Sequence, residues 1–188
     1  MKIVVIDYGS GNVQSVLFSL QRLGYNALIS SDQNEIQSAD RVIFPGVGHA
    51  YTAMNNLEKN NLVELIKQLN QPVLGICLGM QLMCNQTEEG NVKGLGIFDA
   101  CVKKFQDLKV PQIGWNTLSS SSAKYHNNYV YMIHSYFAEI CEQTKASCTY
   151  GINYSAVLQK NNFTAFQFHP EKSSQFGAKL INEFIIQK

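Results

Sequence analysis

Four short, uninterrupted apolar runs punctuate the first part of the chain, at residues 3–6, 27–29, 42–44 and 73–76. A strand with one face in water alternates apolar and polar residues. A run with no polar position has both faces covered, which points to a parallel sheet between layers of helices. The intervening segments carry the other period. Val13, Val16, Leu17, Leu20 and Leu23 recur on one helical face that Gly24 closes, and Leu62, Leu65, Ile66 and Leu69 mark a second helix ahead of Pro72. Strand and helix in alternation predict an α/β fold, with a mostly parallel central sheet flanked by helices.

The second half changes character. Residues 129–137 and 165–168 are rich in β-branched and aromatic side chains, and the polar clusters at 119–122 and 160–162 read as turns. This predicts an additional mixed or antiparallel β section. A closing helix follows, with Phe176, Leu180 and Phe184 spaced by four and Ser173 or Ser174 placed to cap it. With no linker, repeat or low-complexity segment, the 188 residues are expected to form one domain, 1–188.

Bulk chemistry excludes several classes of function. A formal net charge of +1 gives no basic field for nucleic acid and none for an anionic membrane, and no apolar run is long enough to span a bilayer. The opening residues reach an acid at Asp7 and do not read as a secretory signal. Five cysteines, an odd number without a CxxC pair, suit free thiols in a cytoplasmic protein. The four histidines lack metal-ligand spacing, so neither metal nor cofactor is expected.

Three segments carry chemistry. In Gly75-Ile76-Cys77-Leu78-Gly79 a nucleophile sits at the tip of a strand between glycines, the arrangement of a nucleophile elbow. Such a turn is tight enough to forbid side chains at the flanking positions and to hold the nucleophile in a strained backbone conformation. A helix starting near Leu78 would aim its N–H groups at the sulfur, and the Leu78 N–H is a natural oxyanion donor. His169-Pro170-Glu171 follows a predicted strand. In extended chain, residues two apart project to one side, so Glu171 could orient one imidazole nitrogen and leave the other for Cys77. Pro45-Gly46-Val47-Gly48 closes the third strand on the same sheet edge as Cys77 and could supply a second oxyanion donor. Each segment alone has an ordinary structural explanation: a buried thiol, a strand-end turn, a βα turn. Together they favour a Cys-His-Glu triad.

These motifs resemble those of the class I glutamine amidotransferases. With residues 6–12, 111–116 (Pro-Gln-Ile-Gly-Trp-Asn) and 131–136 (Tyr-Met-Ile-His-Ser-Tyr), they are more narrowly similar to the glutaminase subunits of imidazole glycerol phosphate synthases. The resemblance implies a flavodoxin-like fold and hydrolysis of L-glutamine by Cys77, His169 and Glu171, with Val47, Gly48 and Leu78 forming an oxyanion hole that is completed by a peptide rearrangement. Gln81, Ser135 and Tyr136 would bind glutamine. Trp115, Tyr131 and Lys172 would face a (β/α)8 cyclase, which receives the ammonia through a channel and makes imidazole glycerol phosphate and AICAR. The alternatives are a paralogue serving a surface-sugar amidotransferase, a cysteine peptidase or amidase, and a redox protein of the same fold. His134, in the strand beside Ser135, suits a core hydrogen bond and a substrate-edge role equally.

Overall fold

The computed structural model describes residues 1–9 and 13–187. The opening motif's Ser10, Gly11 and Asn12 lie outside the described residues. Four strands, β1 (Ile3–Ile6), β2 (Ala27–Ser30), β3 (Arg41–Phe44) and β4 (Val73–Ile76), pair in parallel in the order β2-β1-β3-β4. Successive residues of β1 feed opposite layers. Val4 and Ile6 join Phe44, Ile36, Leu57 and Ile66 in one core, while Ile3 and Val5 join Leu20, Leu74, Leu180 and Phe184 in the other. β1, β3 and β4 are covered as their apolar runs predict, but β2 lies at the sheet edge with Leu28 exposed, because among the described residues no further strand pairs beyond it.

The helices are α1 (Val13–Arg22), α2 (Gln33–Gln37), α3 (Ala50–Lys59), α4 (Leu62–Lys67), α5 (Leu78–Leu82) and α6 (Ser174–Ile186). Gly24, at φ +83°, closes α1 as expected, since a left-handed position at a helix end costs glycine nothing. Two helices were not anticipated. Asp32 caps α2 by accepting the Glu35 N–H, and α3 buries Ala50, Ala53, Met54 and Leu57. Leu69, assigned to the helix before Pro72, falls past the end of α4.

The second β section is antiparallel in the main. Its strands are β5 (Cys84–Thr87), β6 (Val92–Lys93), β7 (Phe98–Lys104), β8 (Gln112–Thr117), β9 (Tyr129–His134), β10 (Tyr136–Ala138), β11 (Thr144–Tyr150), β12 (Ile152–Lys160) and β13 (Phe163–Phe166). β13 returns to the middle of the molecule and lies parallel to β4, so the main sheet runs β2-β1-β3-β4-β13-β12-β10-β7-β5-β6, with β11 on β12. β8 and β9 form a separate two-stranded sheet. The run at 129–137, predicted as one strand, therefore breaks at Ser135. Its first part pairs with β8 and its second with β7 and β12.

The closing helix needs no side-chain cap. Ser173 makes no capping bond; its hydroxyl donates to the His169 carbonyl (2.7 Å) and accepts the Tyr131 N–H (2.9 Å). A cap contributes about 1 kcal/mol, whereas each of Leu180, Ile181, Phe184 and Ile185, all buried, contributes about 1.5–3 kcal/mol. Burial decides that this helix forms, and the serine is released to tie β9 to His169.

Candidate active site

The carboxyl ends of β3, β4 and β13 lie side by side, and three backbone bonds tie their exits to one another and to β9. The Cys77 N–H donates to the Phe166 carbonyl (2.7 Å), the Leu78 N–H to the Gly46 carbonyl (3.3 Å) and the His169 N–H to the Tyr131 carbonyl (3.0 Å). Cys77 sits at φ 51°, ψ −108°, a conformation that costs an L-residue on the order of 1–3 kcal/mol. The flanking glycines allow it. A Cβ on Gly79 would stand 2.1 Å from the Phe44 carbonyl oxygen, and one on Gly75 would stand 2.8 Å from the Met83 sulfur. The elbow and its steric cause are as the pentapeptide predicts. The helix behind it begins at Leu78 as expected, but α5 is only five residues long, so it brings little developed dipole to bear on the sulfur.

His169 Nδ1 and Glu171 Oε1 are 2.7 Å apart, and both side chains are almost wholly buried. The route differs from the one expected. Pro170–Lys172 is a 3-10 turn rather than a continuation of extended chain, and the turn brings the carboxylate back under the ring. Burial alone would depress the His169 pKa, but the Glu171 hydrogen bond and the charges of Cys77 and Glu171 outweigh it and raise it to about 10. The ring's Nε2 is buried with no hydrogen-bond partner, so the nitrogen facing away from Glu171 is left for a reacting group.

Cys77 and His169 open on one pocket of about 270 Å³, also lined by Val47, Gly48, Leu78 and Gln81, by residues 133–136, and by Glu89 and Pro111. The expected oxyanion and glutamine-binding residues, Val47, Gly48, Leu78, Gln81, Ser135 and Tyr136, all reach it. Two of them arrive already engaged. The Leu78 N–H is held by the Gly46 carbonyl. Gln81 donates its amide hydrogens to the Tyr136 carbonyl (2.8 Å) and the Gln167 Oε1 (3.0 Å), so its own Oε1 is what it can offer a ligand.

Two pocket residues were missed or left open. Glu89 is the one carboxylate among the described lining residues, and its Oε2 accepts the Ala50 N–H at the start of α3 (2.8 Å). Nothing in the local sequence around Glu88-Glu89 marks one of them as a site residue; only the fold brings it to the pocket. His134 does both things considered for it. Its Nδ1 is 2.8 Å from the Tyr136 carbonyl, and it lines the pocket. Burial, the main cause, lowers its pKa to about 4, so the ring is neutral at physiological pH.

The expected interface residues do not line the pocket. Trp115 and Tyr131 are a cross-strand pair on β8 and β9, with rings edge-on at 6.0 Å, and Lys172 is exposed at the end of the 3-10 turn beside β9. The neighbouring pairs Ile113–Ile133 and Thr117–Tyr129 extend this stripe. Ile113, Trp115 and Tyr129 are each more than half exposed. All five cysteines are free thiols, and among the described residues no cluster of ligating side chains could hold a metal ion and no helix is long and apolar enough to cross a membrane.

A family model described as glutamine amidotransferase class-I matches residues 4–188. The chain belongs to this family. Among curated relatives, the imidazole glycerol phosphate synthase subunit HisH of Bacteroides thetaiotaomicron is 48% identical over 194 residues, covering 98% of this chain and 99% of that protein. The subunit of the same name from Idiomarina loihiensis is 42% identical over 191 residues, covering 98% and 97%. Solved structures agree on the amidotransferase fold at low identity. A glutamine amidotransferase superposes with a TM-score of 0.77 at 16% identity, over 97% of this chain and 96% of that one. The structure titled PurLQS from Thermotoga maritima gives 0.75 at 14%, over 98% and 97%.

Proposed function

We propose that this class I amidotransferase is the glutaminase subunit of an imidazole glycerol phosphate synthase, with Cys77, His169 and Glu171 as its triad. The observation that carries the reading is the pocket in which the strained Cys77 meets the unpartnered nitrogen of a Glu171-bound imidazole. The near full-length similarity to synthase subunits narrows it to this acceptor pathway.

The Cys77 sulfur attacks the carboxamide carbon of L-glutamine, forming a C–S bond and placing negative charge on the carboxamide oxygen. His169 gives its Nε2 proton to the leaving nitrogen, the C–N bond breaks, and ammonia departs to leave a glutamyl thioester. The neutral imidazole then takes a proton from water, hydroxide adds to the thioester, and glutamate leaves as the sulfur is regenerated. Glu171 fixes the Nδ1–H tautomer and stabilises the ring when charged. The glutamine α-ammonium needs an acceptor, and Glu89 is placed to provide one. Glu89→Gln is accordingly expected to raise KM for glutamine about ten-fold or more with a smaller effect on kcat, because a charge-assisted hydrogen bond contributes about 1.5–3 kcal/mol. Steady-state kinetics over a glutamine series check this, and an unchanged KM would remove Glu89 from the substrate site.

The exposed stripe of Ile113, Trp115, Tyr129 and Ile133, with Tyr131 and Lys172 beside it, suits docking on a (β/α)8 cyclase. Aromatic side chains held on a rigid sheet lose little entropy when a partner covers them. Isolation of the complex with the cyclase, followed by transfer of ¹⁵N from the glutamine amide into imidazole glycerol phosphate, tests the assignment directly. Trp115→Ala is expected to weaken that complex by about 2 kcal/mol or more, roughly 30-fold in Kd. Transfer of the label to a sugar substrate of a different partner, with none to the cyclase product, would assign the chain to the surface-sugar branch instead.

A further inference from the structure

Gln167 is fully buried between Phe166 and Phe168, whose rings stack at 4.9 Å. Such a position ordinarily holds an apolar side chain, because a buried amide lowers stability unless each of its polar atoms finds a partner. Here the partners form a chain with a defined direction. The Tyr136 carbonyl can only accept. It takes one bond from His134 Nδ1, which fixes that ring as the Nδ1–H tautomer, and one from the Gln81 amide nitrogen. Gln81 is thereby oriented with its NH2 group inward, and its second hydrogen goes to Gln167 Oε1 at 3.0 Å. With its oxygen so engaged, Gln167 has only its Nε2 hydrogens to turn toward Cys77, and Nε2 stands 3.7 Å from the sulfur, within reach of an N–H···S bond. A single backbone carbonyl, two side chains away, dictates that the nucleophile receives a donor and not an acceptor.

We propose that Gln167 is a further catalytic residue of this site, its amide N–H supplying Cys77 with a hydrogen bond that favours the anionic sulfur and holds it at the pocket floor. The inference rests on the reading of Cys77 as the nucleophile. In the thiol form, the sulfur also lies 3.9 Å from the Ile133 carbonyl, to which an S–H can donate. Once the proton has left, that carbonyl repels the sulfur and Gln167 remains as a neutral donor on the protein side. It complements the charged His169 on the pocket side. Neutral donors to a developing anion strengthen in a low-dielectric site and need no reorganisation as charge appears.

The experiment reads the sulfur directly, apart from glutamine turnover. Iodoacetamide alkylates the anionic sulfur, forming an S–C bond and releasing iodide, and its rate against pH reports how readily the proton leaves. The titratable groups facing the sulfur are His169 and Glu171 beyond β13, His134 on β9, Tyr8 after β1 and Glu89 across the pocket, and all are retained in the variants. Gln167→Met, similar in length but without a donor, is expected to move the midpoint of the alkylation profile at Cys77 upward by about one pH unit. It should also lower kcat about ten-fold while KM for glutamine stays within about two-fold. Gln167→Leu, which also has no donor and is smaller, should shift the profile in the same direction. It also serves if the methionine variant does not fold. Profiles for both variants that superimpose on the parent would overturn the proposal, as would a loss of kcat that merely follows a loss of folded protein. If the parent is not alkylated preferentially at Cys77, the nucleophile assignment fails first and this inference falls with it.

Discussion

Cys77→Ala is expected to stop the release of ammonia from glutamine while leaving the protein folded. The covalent route has no substitute acceptor for the glutamyl group, and in triad hydrolases removal of the nucleophile costs on the order of 10⁵–10⁶ in kcat. The fold should survive because the side chain is small and the turn is held by other contacts. The Cys77 N–H bond to Phe166, the Gln81 N–H bond to the Cys77 carbonyl (3.1 Å) and the clearances at Gly75 and Gly79 do not involve the sulfur. What is lost is a pair of long contacts to Gln167 and Ile133 and the electrostatic interaction with His169, so the stability change should stay within about 1–2 kcal/mol. A coupled glutamate dehydrogenase assay measures the activity and a thermal melt the fold. Retention of substantial turnover by a well-folded alanine variant would end the covalent mechanism.

The second large effect concerns the isolated chain. Its glutaminase activity is expected to be low and to rise by about 100- to 1,000-fold when the cyclase docks, with the gain in kcat rather than KM. The reason is the Leu78 N–H, which adjoins the nucleophile but is directed at the Gly46 carbonyl, 3.3 Å away. Loss of one oxyanion donor costs about 100- to 1,000-fold. Because the charge on that oxygen exists only as the tetrahedral species forms, ground-state binding is spared. Releasing the donor requires the Gly46 carbonyl to turn away, and the peptide that follows it would then present the Val47 N–H. There is little room for larger adjustments. Tyr8, buried, donates to the Pro45 carbonyl (2.8 Å), and a Cβ on Gly46 would lie 2.6 Å from the Gly79 nitrogen. Kinetics with and without saturating cyclase decide the matter. Full turnover by the lone chain would mean that the hole is already complete.

Much of this arrangement was legible before the fold was known, for identifiable reasons. The parallel strands announced themselves because burial within the sheet leaves short runs without a polar residue, although the edge strand β2 shows that such a run does not guarantee two covered faces. The elbow did so because its steric demands leave glycine as the residue that fits at two fixed offsets. Sequence reasoning went astray where tertiary contacts override local pattern. The break at Ser135 is marked by no cluster of turn residues, since it arises from β9 and β10 joining different sheets. The serine before α6 looks like a cap because Ser is a good one, yet its hydroxyl bridges Tyr131 and His169. α3 carries apolar residues at 50, 53, 54 and 57, the correct spacing for one helical face, and could have been found by that period. Glu89 and Gln167 could not have been found from local pattern, because each acquires meaning only from what the sheet order brings alongside it.

β9 has a two-sided character. Along its length the Tyr131 carbonyl holds the backbone of His169 and the Ile133 carbonyl lies against the sulfur of Cys77, while the side chains of the same two residues belong to the solvent-facing stripe with Trp115 and Ile113. Pressure on those side chains would reach the His169 backbone and the Cys77 sulfur through single residues. A shift too small to rearrange either sheet would alter the aim of base and nucleophile together, much as a rocker moves both its ends about one pivot.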